Sequence, residues 1–348
     1  MTVRAADDVG TALSDLTATV AARAEALDNG STDVRPDLTR FGEAAMFDAA
    51  LYDDGLPELV RTIEHTSAVS LAVGFSVWAH TMTVTYLRHT ASPVFEGHLD
   101  ALRKGARAGV TAIAAGLRQV AGLGPVPLIA DGRDRLHVSG PIQWASNVFE
   151  DALMVLPARR ADGSTIVAAV DVNSPGVTVN RPPELMALGA TASTSLRLHD
   201  VPIRADHVVS TDLTAFVAQI RPTFLVLQTA FCVGVANAAL AGAQRAAGVV
   251  AAQFGVERSE LAERHRTLRD ELYRLATEPR RHRIVEFIRL RLDAATAAVA
   301  ATRLESTLAG GIGYAAHSAV NRRFREAAFL PIQSPSEGQL RWELSRYE

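Results

Sequence analysis

Apolar positions recur at helical spacing along the first third of the chain. Leu13, Leu16, Val20 and Ala24 predict a first helix over Asp8–Asp28. Asn29-Gly30 then opens a polar turn region, Gly30–Pro36. The pattern is helical again from Leu38 to Arg107, with breaks at Asp53-Asp54-Gly55 and Ala91-Ser92-Pro93. Ser92, Pro93 and Glu96 have the composition of a helix start: a capping hydroxyl, proline at the first helical position, then an acid. Ser67–Leu87 is apolar almost all round, which predicts a buried helix. His80 within it has no metal-type partner at i+3 or i+4 and reads as a core or edge histidine.

Near residue 108 the period changes. Short β-type runs follow, Pro127–Ala130, Arg135–Ser139, Ala152–Leu156, Thr165–Val172, Val177–Val179 and Ser195–Leu198. They are separated by turn residues at Asp131–Asp134, Asp162-Gly163 and Pro175-Gly176, and the last ends at Asp200-Val201-Pro202. Runs at this spacing predict a small sandwich or barrel. From Thr211 onward the pattern is helical: a long apolar helix over Arg221–Val250, an amphipathic one over Val256–Leu275 and a third over Arg280–Leu308. A Gly-rich break at Ala309–Tyr314 precedes two short helices, Val320–Leu330 and Ser336–Tyr347. The fold class expected is therefore α+β and multidomain. It comprises an N-terminal helical domain (1–107), a central small β-sandwich or barrel (108–210) and a C-terminal domain of four-helix-bundle type (211–348).

Composition narrows the function classes. The 348 residues are 48% hydrophobic and 21% charged, with a net charge of −3. That balance gives no basic face for nucleic acid. The single cysteine, Cys232, lies in an apolar run and reads as a buried thiol in a reducing compartment. No charged-then-apolar leader is visible, and the apolar run Ser67–Ala79 is too short to cross a bilayer. A cytoplasmic protein without membrane partners is expected. The basic run Arg280–Arg283 opens a helix on the unfavourable side of its macrodipole. It reads either as a solvated helix end or as a contact for an anionic partner.

One stretch concentrates candidate chemistry. After Leu136 and Val138 alternate, Gly140-Pro141 breaks the run and Trp144, Ser146 and Asn147 follow within four residues. An aromatic wall with a few placed polar groups is the composition of a small-molecule site, although a tryptophan in a β-hairpin is also ordinary core. Gly140-x-x-x-Trp144-x-Ser146-Asn147 resembles a segment of the acyl-CoA dehydrogenases, as does the helical, β, helical order of the chain. Pro175–Val179 is similar to a strand of that family. Leu188-Gly189-Ala190-Thr191-Ala192-Ser193, with Leu198–Pro202 after it, resembles the end of its β domain. Gly310-Gly311-Ile312-Gly313-Tyr314, followed by Val320–Ala327, resembles its Gly-Gly-x-Gly-Tyr segment and the Arg-rich helix beyond. The matches span about residues 60–348.

The resemblance implies a flavoprotein holding FAD between the β domain and the C-terminal bundle, usually across a subunit interface. Trp144 would shield the flavin ring and the Ser146 hydroxyl would face flavin N5. Asn147, Thr111, Gly310 and Gly311 are the other cofactor-binding candidates carried over; no metal is implied. The implied reaction is α,β-dehydrogenation of an acyl thioester by a carboxylate base, with hydride transfer to N5. Aligned without gaps, the base position falls on Ser334; a three-residue insertion places Glu337 there, and Glu337 is the catalytic candidate. Ser334 with Glu337, or Ser336 with Gln339, also has the spacing of a capping box. Arg221-Pro222 resembles an Arg-Pro pair at the start of the family's central helix, with Ile220 in the neighbouring place that some members use for the base; Arg221 is the second catalytic candidate, as a substrate holder, and reads equally as a surface helix start. Ala251 stands where many members carry the arginine that grips the FAD pyrophosphate, with Arg245 and Arg258 nearby. The loop after Thr111 keeps only Thr111 and Gly116 of the family's flavin-contacting segment. These departures leave two further readings open: a flavin-dependent monooxygenase on the same fold, and a non-catalytic subunit of a mixed assembly. A homo-oligomer (homodimer or homotetramer), or pairing with a related chain, is the expected assembly.

Overall fold

The computed structural model describes residues 6–90, 92–132 and 136–347. Ala91 of the second helical break, and Arg133, Asp134 and Arg135 of the turn and strand start after Asp131, lie outside the described residues. The N-terminal helices are α1 (Ala6–Asp28), α2 (Arg35–Glu43), α3 (Leu56–Val69), α4 (Leu71–Arg88) and α5 (Phe95–Arg103). The central part holds β1 (Gly109–Thr111), a short helix α6 (Ala114–Val120) and strands β2 (Ile129–Asp131), β3 (Leu136–Ala145) and β4 (Leu153–Arg160). After them come β5 (Thr165–Asp171), β6 (Val177–Val179), β7 (Thr194–Ile203) and β8 (Val208–Ser210). The C-terminal region comprises α7 (Leu213–Gln244), α8 (Val249–Ala252), α9 (Gly255–Thr277), α10 (Ile284–Ala309), α11 (Gly311–Tyr314), α12 (Ala319–Ala327) and α13 (Glu337–Leu344).

The expected apolar helix is present with an altered start. Ser70 ends α3 in an extended conformation (φ −153°, ψ 117°) and caps α4 by accepting from Val73 N. Residues 71–87 are all buried, including His80. His80 accepts from Gly109 N at Nδ1 (3.0 Å), and its Nε2 meets Leu102 O at 2.9 Å, tying α4 to α5 and β1. Burial pushes its pKa down to about 4, so it is a neutral core histidine. Ser92 does not cap α5: its hydroxyl donates to Asp206 O at 2.7 Å, and the helix begins at Phe95 without a side-chain cap.

The β module is one mixed eight-stranded sheet, in the order β6-β7-β3-β2-β4-β5-β8, with β1 added parallel to β4. Two expected breaks are strand interior. β3 continues through Gly140-Pro141 to Ala145 by bulging against β7, and β7 continues through Asp200 (φ 52°) to Ile203. Gly140 (φ 135°) is required there, because a Cβ would come within 2.8 Å of Pro127 O.

Helix α7 is the axis of the C-terminal region and packs on α3, α4, α9 and α10. It starts at Leu213, nine residues before Pro222, capped by Asp212 accepting from Ala215 N at 2.9 Å. Its length and apolar composition suffice to cross a bilayer, yet 83% of its most apolar window is buried inside the protein. Cys232 lies on its buried face.

Candidate functional site

A cavity of 420 Å³ opens where α4, the ends of β1 and β3, the β6–β7 connection, α7 and the segment after α12 converge. Its inner wall is aromatic. Phe75 stacks on Trp78 at 5.3 Å, Phe329 meets Phe75 edge-on at 5.1 Å, and Phe224 meets Trp78 edge-on at 5.0 Å. All four rings line the cavity. Volume and apolar lining match a small-molecule site.

Trp144 and Ser146 enter from the end of β3, where a second bulge between Ile142 and Ala145 turns the strand. Trp144 is 59% exposed, so its indole is a wall with an open side and not core. Asn147 (φ 62°) adopts the left-handed conformation that asparagine tolerates. It is fully buried, and its Nδ2 donates to Ser76 O (2.9 Å) and Gly109 O (3.2 Å). Asn147 thus fastens the bulge to α4 and β1, and it does not line the cavity. Thr111 does; its hydroxyl pairs with Tyr86 OH at 2.8 Å, and burial raises the Tyr86 pKa, keeping that phenol neutral.

On the same lip, Ser193 lines the cavity beside Ser146, their hydroxyls 2.6 Å apart. Ser193 also meets Thr191 Oγ1 at 2.6 Å, and Thr191 donates to Leu188 O at 2.8 Å. Leu188 (φ 62°) and Ala192 (φ 47°), both left-handed, flank the single turn that brings these groups together. Arg325 is the one ionisable side chain among the described lining residues. It is committed to Asp28 (2.9 and 2.5 Å) and Met186 O (2.9 Å).

The catalytic candidates lie elsewhere. Ser334 lines the cavity, but Glu337 does not. Glu337 occupies the first turn of α13, where Arg341 Nε donates to its Oε1 at 2.7 Å, while Ser336 caps the helix by accepting from Gln339 N at 3.3 Å. Of the expected Ser336–Gln339 capping box only the Ser336 half is present, because the Gln339 side chain donates instead to Glu343. No carboxylate among the described residues lines the cavity. Arg221 lines a second, polar cavity of 830 Å³, shared with Glu343, Arg88, Asp53 and Arg346. It forms a buried ion pair with Glu343, whose Oε1 accepts from Gln339 Nε2 at 2.9 Å. Gly310 (φ 60°) terminates α10 and Gly311 opens α11; neither lines either cavity, and a Cβ on each would meet open space.

Thr191, Ser193 and Tyr86, together with the aromatic wall, are the participants that sequence reasoning missed. Thr191 and Ser193 had a signal: two hydroxyls at i and i+2 inside a motif already noted.

No family model matches the chain, and no curated protein matches it. Solved structures do. Butyryl-CoA dehydrogenase from Megasphaera elsdenii superposes with a TM-score of 0.87 at 16% identity, covering 100% of both chains. A glutaryl-coenzyme A dehydrogenase in complex with glutaryl-CoA gives a TM-score of 0.87 at 16% identity, over 99% of this chain and 96% of that one. Nitrososynthase from Micromonospora carbonacea var. africana gives 0.80 at 18% identity, over 97% and 95%. At these identities the likeness establishes the fold.

Proposed function

We propose, for a chain with the acyl-CoA dehydrogenase fold, that it is an FAD-dependent oxidoreductase of monooxygenase type acting on a compact apolar substrate. The observation that carries this reading is the apolar cavity with no carboxylate among its described lining residues. The residues present fit a flavin ring: an open indole face at Trp144 and hydroxyls at Ser146, Ser193 and Thr111 suit a flat, polar-edged heterocycle. Among the described lining residues Arg325 is the one cation and is already paired, which leaves the pyrophosphate grip to residues outside this cavity. Bound FAD would supply the redox chemistry, and the chain supplies position and environment. Trp144 would cover one face of the ring, while Phe75, Trp78, Phe224 and Phe329 would exclude water and bound the substrate. Among the described lining residues no carboxylate stands ready to remove a substrate proton, which favours chemistry that needs none.

α,β-Dehydrogenation of an acyl thioester is the second reading. It is favoured by Ser334 on the cavity wall three residues before Glu337, and it requires Glu337 to leave Arg341. Self-association, or pairing with a related chain, accompanies either reading. Val249, Val250, Val256, Ile312 and Tyr314, on α8, early α9 and α11, support it as exposed apolar side chains.

Titration with FAD, followed by flavin absorbance, tests the common premise. Trp144→Ala is expected to weaken binding about tenfold, the upper range for an aromatic contact. Absence of binding by the parent chain would overturn both enzyme readings. Anaerobic bleaching of the bound flavin by an acyl-CoA, lost in Glu337→Gln, would replace the monooxygenase reading with the dehydrogenase one. Oxygen-dependent turnover of externally reduced flavin without such bleaching is the expected result.

A further inference from the structure

The hydroxyls at the cavity lip form a chain whose direction follows from counting protons. Thr191 has one hydroxyl proton and donates it to Leu188 O at 2.8 Å. Its oxygen must then accept from Ser193, 2.6 Å away, which consumes the Ser193 proton. Ser193 in turn accepts from Ser146, also at 2.6 Å. The Ser146 proton therefore points into the wall, and what Ser146 offers the cavity is a lone pair. Reversing the chain is possible at the cost of one bond: Leu188 O would keep the Thr191 backbone N–H (3.1 Å) and lose the hydroxyl.

We infer that Thr191 and Ser193 are positioning residues that set Ser146 as a hydrogen-bond acceptor and thereby favour the reduced flavin. This rests on the proposed FAD site and on Ser146 facing flavin N5. Oxidised flavin has an unprotonated N5, which seeks a donor. Two-electron reduction with uptake of a proton at N5 makes it an N–H, which seeks an acceptor. A wall that presents a lone pair binds the reduced form better, and the preference is worth about one hydrogen bond. The polarity originates at the Leu188 carbonyl, which the left-handed residues Leu188 and Ala192 hold beneath the two hydroxyls.

The test is the two-electron midpoint potential of FAD bound to the full chain, from spectroscopic redox titration against reference dyes. In Ser193→Ala, Ser146 loses its acceptor and is free to donate to the cavity. In Thr191→Val, Ser193 is free to turn towards Ser146. Both are expected to shift the ratio of affinities for reduced and oxidised flavin about tenfold towards the oxidised form, lowering the potential by about 30 mV. Ser193→Thr, which keeps a hydroxyl, is expected to retain the parent potential, a rescue that loss of packing alone would not show. Ser193 lies on the cavity lip, so its variants probe the chain even should the buried Thr191 variant fold poorly. FAD binding with the parent potential in both Ser193→Ala and Thr191→Val overturns the relay alone. No FAD binding by the parent overturns the flavin site and the relay together.

Discussion

Glu326 is enclosed on α12 with one oxygen accepting from Leu71 N at 3.2 Å and the other without a partner among the described residues. Burial pushes its pKa up to about 7 against the opposing charge of Arg322. The folded protein thus holds a proton that the unfolded chain, at the ordinary value of 4.5, gives up. Its contribution to stability is present below about pH 4.5 and is lost as pH rises through about 7. His80 works in the other direction. Held down at about 4 from 6.5, it contributes above pH 6.5 and its contribution is lost as pH falls towards 4. Between these limits the two slopes oppose. In Glu326→Gln the acid slope disappears, so the melting temperature is expected to rise more steeply from pH 5 to pH 6.5 than in the parent. Equal slopes in the two proteins would show that Glu326 does not titrate in this window.

Where α3 and α7 cross, the packing depends on a missing side chain. A Cβ on Gly234 would overlap the Glu64 carbonyl oxygen, which is helix backbone and cannot move aside. Gly234→Ala is expected to cost about 1–3 kcal/mol, read as a lower urea midpoint at unchanged slope. Gly97 on α5 is the contrasting case. It is exposed, with nothing within 4 Å of an added Cβ, so Gly97→Ala is expected to stabilise by up to about 1 kcal/mol. These two glycines look alike in sequence, and the elements were legible to the same depth. Periodic helices such as α1 and α9 could be read from their apolar spacing. The continuation of β3 past Gly140-Pro141 and of β7 past Asp200 could not, because bulges absorb residues that locally favour a turn. The three-residue strands β1 and β8 carry too little pattern to be seen and exist through pairing with β4 and β5. Of the cavity's lining residues, Trp144 and Ser146 lie in a segment legible by resemblance, and Thr111 is a remnant of one that is not. Tyr86 and the aromatic wall could not be read, since their roles arise only when α4 and α7 meet the sheet.

At the scale of the whole molecule, Arg221 and Glu343 join the third turn of the central helix to the last helix, 122 residues apart in sequence. Both are largely buried where they line the polar cavity, and Arg221 Nε has no partner among the described residues, so the pair is only partly compensated. Removing one member leaves an isolated buried charge, which costs far more than the pair itself contributes. Glu343→Leu or Arg221→Met alone is therefore expected to destabilise by about 3–5 kcal/mol, whereas the two combined should recover most of the loss. The same cycle separates two roles for Arg221. It lines the polar cavity and not the aromatic one, so the double variant is expected to bind FAD with parental affinity once refolded. Calorimetry and flavin titration on the four proteins of the cycle decide the matter. A stable double variant that no longer binds FAD would show that the ion pair serves the cofactor site and not the docking of α13.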